Sequence, residues 1–309
     1  MKVFTPADTQ NGIPFLYSTT PPRADSDPDK ILRAAVRLAE RVQALKISGL
    51  VVYDVQDESE RTAEPRPFPF LPTIESKSYS ERLSELIDAP VITYKCVASM
   101  SEAQWHAWLQ QFVLSGTLKA LSLVGKASSL GGHRGISLSR AIAIAAAEQS
   151  DLTLGGVVIP ERNSPERNEA ARLLFKAKLG CSYFISQAVF SAEPVIALIH
   201  QYSAMCQNQN VPPDPIYLTF APCGNAKTIA FMRWLGISLP LQTEALILKA
   251  ESPLTKSIEI CESNLANILS ECTACGVPLG VNVESVSNRK DEIAASVDLL
   301  QRLQSRCNV

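Results

Sequence analysis

The chain has 309 residues, of which 46% are apolar and 19% charged, with a formal net charge of −2. Its interspersed charges offer no basic stripe to neutralise phosphates, which argues against a nucleic-acid partner, and no apolar run approaches the roughly 20 residues of a membrane span. Residues 1–12 are polar and unlike a signal peptide, so the expected location is cytoplasmic.

Short apolar runs read as strands at 14–17, 50–54, 91–96, 120–124, 154–159, 183–186, 216–220 and 279–283. Helical patterns separate them at 29–45, 80–87, 102–115, 138–149, 164–179, 193–206, 226–235 and 291–303. Each parallel crossover needs a helix, and eight alternating pairs are the number that closes a barrel. The expected fold is therefore α/β, a (β/α)8 TIM barrel in one domain over residues 1–309. The stretch 239–275 supplies one or two extra helices between strands 7 and 8. The same alternation is also compatible with an open doubly wound sheet.

The most complete unit is 152–190. There Leu154-Gly155-Gly156-Val157-Val158-Ile159 suits a strand buried on both faces, and Pro160-Glu161-Arg162-Asn163 ends it. Ser164 is the expected N-cap of the next helix, with Pro165 at its first position and Gly180 at its close. Gln187 ends the following strand with no evident capping duty.

Eight cysteines are present, and without an export signal they are expected as reduced thiols. Cys272 and Cys275 have C-x-x-C spacing but no second pair or neighbouring histidine in sequence, so no metal site is expected. His106 and His200 fall in helices, whereas His133 lies in the glycine-rich loop 131–135. Those glycines do not follow a strand directly or match G-x-G-x-x-G, so a nicotinamide would bind across the barrel mouth.

Functional groups of a closed barrel lie just beyond the C-terminal strand ends. Those positions hold Ser18 after the first strand, Asp54, Gln56, Asp57 and Glu58 after the second, and Thr93, Tyr94 and Lys95 around the third. Lys126 follows the fourth, Glu161 and Arg162 the fifth, Gln187 the sixth, Cys223 and Gly224 the seventh, and Glu284 the eighth. Acid, base, amide and hydroxyl groups suited to a heteroaromatic ligand are all present, although many such residues simply cap turns.

The order of Pro21-Pro22-Arg23, Ile159-Pro160-Glu161 and the run from Lys176 to Phe190 resembles the catalytic barrel of 5,10-methylenetetrahydrofolate reductases over residues 14–240, with a weaker match at 282–293. The resemblance implies hydride transfer from NADH or NADPH, usually through FAD, to 5,10-methylenetetrahydrofolate, giving 5-methyltetrahydrofolate. Taken with the strand-end positions, it gives Gln187, Ser18, Lys126, Tyr94 and Phe190 as expected folate contacts and Thr93, Lys95, Glu161, Arg162 and Lys176 as expected cofactor contacts.

The chain departs from that pattern mainly on the flavin side. The family's glutamate before the paired prolines is Ser18 here, in Ser18-Thr19-Thr20-Pro21-Pro22, and a hydroxyl cannot replace a carboxylic acid as proton donor near neutral pH. Asp57 or Glu58 is expected to supply the proton. The family's R-G-D becomes Val124-Gly125-Lys126, its flavin-stacking tyrosine becomes Ile159, and its strand-three histidine has no counterpart. These losses suggest a flavin-independent relative in which the nicotinamide hands its hydride directly to the folate. The segment 57–74, with Arg61, Arg66, Phe68 and Phe70, is expected either as pocket wall or as surface loop. Two other readings stand beside this one: a non-catalytic folate- or nucleotide-binding barrel of one-carbon metabolism, and a lyase using Lys95 or Lys126 as a Schiff-base amine. The apolar helix faces at 141–147 and 196–199 suit either core packing or contacts in a homo-oligomer.

Overall fold

The structure, a computed structural model, describes residues 12–59, 62–125 and 135–307. Eight strands form one closed parallel barrel in sequence order. They are β1 (Phe15–Thr19), β2 (Gly49–Val52), β3 (Val91–Cys96), β4 (Ala120–Val124), β5 (Thr153–Val158), β6 (Cys181–Ala188), β7 (Ile216–Phe220) and β8 (Leu279–Val283). β7 and β8 are buried along their whole length, as strands covered by helices on one face and a barrel core on the other must be.

The intervening helices are α1 (Pro28–Gln43), α2 (Ser76–Leu86), α3 (Glu102–Leu114), α4 (Leu138–Glu148), α5 (Glu169–Lys178), α6 (Ala192–Asn208) and α7 (Ala226–Trp234). α8 (Leu241–Leu248) and α9 (Pro253–Cys272) occupy the expected insertion between β7 and β8, and α10 (Lys290–Cys307) follows β8. No described helix is long and apolar enough to cross a membrane.

The described chain forms two compact units. Leu16–Val157 with Lys178–Ser182 belong to the first, and Val158–Ala177 with the chain from Tyr183 onward belong to the second. In the first, the register runs Leu50↔Val91 and Ile92↔Ala120, and Leu121↔Leu154. In the second, Ile216 pairs with Phe184 and Leu279, and a register shift between Ile185 and Ala188 marks an irregularity near the end of β6.

Local chemistry explains the helix starts. The Asp27 carboxylate accepts from the Asp29 N–H at 2.8 Å, and Ser101 and Gln104 form a reciprocal capping box at the start of α3. α2 starts four residues earlier than expected, and there the Ser76 hydroxyl donates to the Tyr94 carbonyl at 2.8 Å.

α5 corrects the expected start at Ser164. Residues 160–162 form a 3-10 turn, and Ser164 and Arg167 then exchange backbone hydrogen bonds at 3.1 Å. The helix begins at Glu169, behind Asn168, whose side chain accepts from the Ala171 N–H at 2.7 Å. Ser164 caps a local turn instead of the helix, its hydroxyl accepting from the Arg167 N–H at 3.2 Å, and the helix cap passes to Asn168.

Gly180 joins α5 to β6 at φ +117°, and a Cβ there would lie 2.6 Å from the Cβ of Ala146. Gly180→Ala combines backbone strain with overpacking and is expected to cost about 2 kcal/mol or more. A lower urea midpoint would show this; an unchanged midpoint would contradict it.

Candidate functional site

In the first unit, polar groups gather beyond β2 and β3. Asp54 accepts from the Cys96 N–H at 2.8 Å and from the Gln56 amide at 2.9 Å, so it ties the end of β3 to the loop after β2. Lys95 stands 4.0 Å from the Asp54 carboxylate and 3.7 Å from that of Glu75, with its ammonium 4.8 Å from the centroid of the Trp108 ring. Glu75 in turn accepts from the Trp108 indole N–H. An ammonium placed between two carboxylates and an indole face links β3 to α2 and α3.

Several expected site residues of this unit are packed. Ser18 and Thr93 are buried, and the Thr93 hydroxyl has no hydrogen-bond partner. Tyr94 is buried with its ring edge-on to Tyr53, at 4.9 Å between centroids. Asp57 is exposed and accepts from both the hydroxyl and the N–H of Ser59, which hold its carboxyl below the usual range. Glu58 is half-buried in the same loop. Lys126, His133 and Arg61 lie outside the described residues.

The segment after Asp57 is tied back to the loop that follows β1. The Ala24 N–H donates to Pro72 at 2.8 Å, the Ile74 N–H donates to Pro22 at 2.9 Å, and Arg23 bridges Thr73. The paired prolines thus gain a backbone partner, and the Arg66 guanidinium covers the Phe70 ring at 5.3 Å.

In the second unit, the turn after β5 carries the most distinctive group. One oxygen of Glu161 is buried with no hydrogen-bond partner, and burial pushes its carboxyl up from the usual range. Its turn is fixed by neighbours. Buried Glu169 accepts from the Ile159 N–H at 3.4 Å, while Asn163 accepts from the Glu169 N–H at 3.0 Å and donates to Gln201 at 2.7 Å. Asn163 therefore holds the turn, and Glu161 is left with a desolvated acid. Arg162 is half-buried beside it.

Gln187 has a capping duty after all: its amide donates to the Leu235 carbonyl, at the end of α7, at 3.1 Å. Phe190 is core, clustered with Ala188, Ala221, Ile229 and Met232. Lys176 is buried in the last turn of α5, which leads into the start of β6 and so lies away from the strand C-terminal ends. Burial pushes the Cys223 thiol up to about 12, far from thiolate chemistry at neutral pH.

Two polar networks escaped the sequence reading. The Thr219 hydroxyl donates to the Ser186 carbonyl at 2.6 Å and accepts from the Asn282 amide at 3.1 Å, linking β6, β7 and β8. Buried Glu292 accepts from Thr228 at 3.0 Å, from the Ser287 hydroxyl and from the Gly224 N–H at 3.4 Å. The available signal was a polar residue inside a run that is otherwise apolar: Thr219 in IYLTF and Asn282 in LGVNV.

No family model matches the chain, and no curated protein does. Among solved structures, the chain is similar to an uncharacterized protein from Clostridium thermocellum that binds two copies of 5-methyl-5,6,7,8-tetrahydrofolic acid. The two are 34% identical over 96% of each chain, with a TM-score of 0.82. A second structure, oxaloacetate acetylhydrolase in complex with the inhibitor 3,3-difluorooxalacetate, is 13% identical over 96% of this chain and 83% of that one, with a TM-score of 0.49.

Proposed function

We propose, because this chain belongs to the same family as the Clostridium thermocellum protein, that it is a reduced-folate barrel whose reaction product is 5-methyltetrahydrofolate. The observation that carries this reading is the 34% identity across 96% of both chains with a protein that binds that compound. The order of motifs shared with methylenetetrahydrofolate reductases supports the same chemistry, in which 5-methyltetrahydrofolate is what the reduction produces.

In the proposed reaction, a carboxylic acid protonates N10 of 5,10-methylenetetrahydrofolate and the bond from the methylene carbon to N10 breaks. The resulting N5 iminium accepts a hydride from C4 of NADH or NADPH. The products are 5-methyltetrahydrofolate and the oxidised nicotinamide, so one proton and one hydride account for the change.

Glu161 is the residue we assign to the proton. A general acid must hold its proton above the usual carboxylate range, and burial pushes the Glu161 carboxyl in that direction, with one of its oxygens left without a hydrogen-bond partner, against the smaller opposing pull of its own backbone N–H and of Arg162. Asp57 is the weaker candidate, because the hydroxyl and N–H of Ser59 favour its ionised form. No step is assigned to flavin. Of the residues expected to contact a cofactor, nicotinamide or flavin, Lys95 is engaged by Asp54, Glu75 and Trp108, and Lys176 lies in the last turn of α5.

Anaerobic single-turnover oxidation of NADH and of NADPH by the flavin-free protein tests the reading. Oxidation that requires methylenetetrahydrofolate and yields methyltetrahydrofolate is the expected result. A second reading, folate binding without turnover, draws on buried Ser18 at the position where the reductases carry their acid. Saturable folate binding with no nicotinamide oxidation, even with added FAD, would select it.

A further inference from the structure

Cys272 and Cys275 lack a histidine near them in sequence, but the fold supplies one. Cys272 ends α9, and Cys275 ends the 3-10 turn that follows, Thr273–Cys275. His200, on α6 and 75 residues before Cys275, places its Nδ1 3.4 Å from the Cys275 Sγ. One ligand atom from each of His200, Cys272 and Cys275 lies within 4.8 Å of the others.

The surrounding backbone is tied to α6. Ser203 lies one helical turn after His200 on the same face of α6, is buried, and donates its hydroxyl to the Cys275 carbonyl at 2.5 Å. α6 is thus anchored to the cysteine turn by one residue and faces it with the imidazole of another. Gly276 follows at φ +69°, in the left-handed region that lets the chain leave the turn at once.

We propose that His200, Cys272 and Cys275 form a binding site for a thiophilic divalent cation of the zinc class. Two thiolates and one imidazole are the soft and borderline donors that zinc selects. Around tetrahedral zinc, sulfur and nitrogen ligands stand about 3.3–3.8 Å apart, given bonds of about 2.3 and 2.0 Å. The Cys275–His200 spacing of 3.4 Å already falls in that range, and the three ligand atoms all lie within 4.8 Å of one another. The exposed imidazole leaves the fourth position to water, so the ion is exchangeable instead of sealed in the core. A disulfide would use the two sulfurs and give His200 no part. Binding releases the thiol protons to solvent, and no oxidant is required.

The test is zinc binding by the full-length chain kept reduced with a phosphine, measured by competition with a chromogenic chelator, with Co2+ as a spectroscopic substitute. The parent protein and Cys307→Ser are expected to bind a single ion, with a thiolate-to-cobalt charge-transfer band. Cys275→Ser and His200→Ala, both at sites that are not fully buried, are expected to stay folded by circular dichroism and to lose at least about tenfold in affinity. Absence of zinc binding by the reduced parent would overturn the proposal, as would affinity equal to the parent's in both variants. A Cys272–Cys275 disulfide in a protein that takes up no zinc after reduction would replace it with a redox pair.

Discussion

Glu161→Gln is expected to lower single-turnover reduction of methylenetetrahydrofolate by roughly 10²–10⁴-fold while leaving folate binding within about threefold. The amide keeps the shape of the buried side chain but has no acidic proton to give. The pH dependence follows from the direction of the shift. Burial raises the Glu161 carboxyl, so the protonated, active form persists above the usual carboxylate range, and the rate falls as pH rises through the raised value.

The substitution should move stability the other way. A group whose folded-state pKa is raised contributes stability that is present below its unfolded value and lost as pH rises through the folded one. Glu161→Gln removes that loss, so its Tm should equal or exceed that of the parent at pH 7. A variant that loses turnover and stability together would point to a structural carboxylate. Full turnover would remove Glu161 from the chemistry and return the role to Asp57 or Glu58.

The second large effect is expected at Glu292. This carboxylate is 1% exposed and accepts from Thr228, Ser287 and the Gly224 N–H, so it ties the segments that follow β7 and β8 to α10. Glu292→Ala leaves three donors without an acceptor. Stranding buried Thr228 costs about 1–3 kcal/mol, and the half-buried Ser287 and Gly224 donors, which water can reach, add less, for a sum of roughly 3 kcal/mol. The expected fall in Tm is roughly 6–12 °C at about 2–4 °C per kcal/mol. A shift below about 2 °C in calorimetry would show that solvent already satisfies these donors.

The barrel was readable because its strands are short runs buried on both faces and separated by helical periodicity. β3, β4, β7 and β8 lie where the apolar runs place them. β6 extends beyond the expected 183–186 at both ends because Cys181 and Ala188 are also buried, a tertiary fact that local pattern does not carry. The start of α5 was misplaced because Ser164 and Asn168 are both good caps in sequence, and only the turn around Glu161 decides between them.

The site was legible as positions but not as partnerships. Strand-end counting located Asp54, Lys95, Glu161 and Gln187. It could not tell that Lys95 would be matched to Glu75 and Trp108, or Gln187 to the carbonyl of Leu235, because those partners come from other elements. The same holds for His200 beside Cys275. Side chains brought together by helix packing leave no periodic trace in the chain.

Calorimetric titration of the purified chain with 5-methyltetrahydrofolate tests the central claim most directly. The account predicts saturable binding that 5,10-methylenetetrahydrofolate displaces. Absence of saturable binding by either compound, with the protein shown folded by circular dichroism, would contradict it.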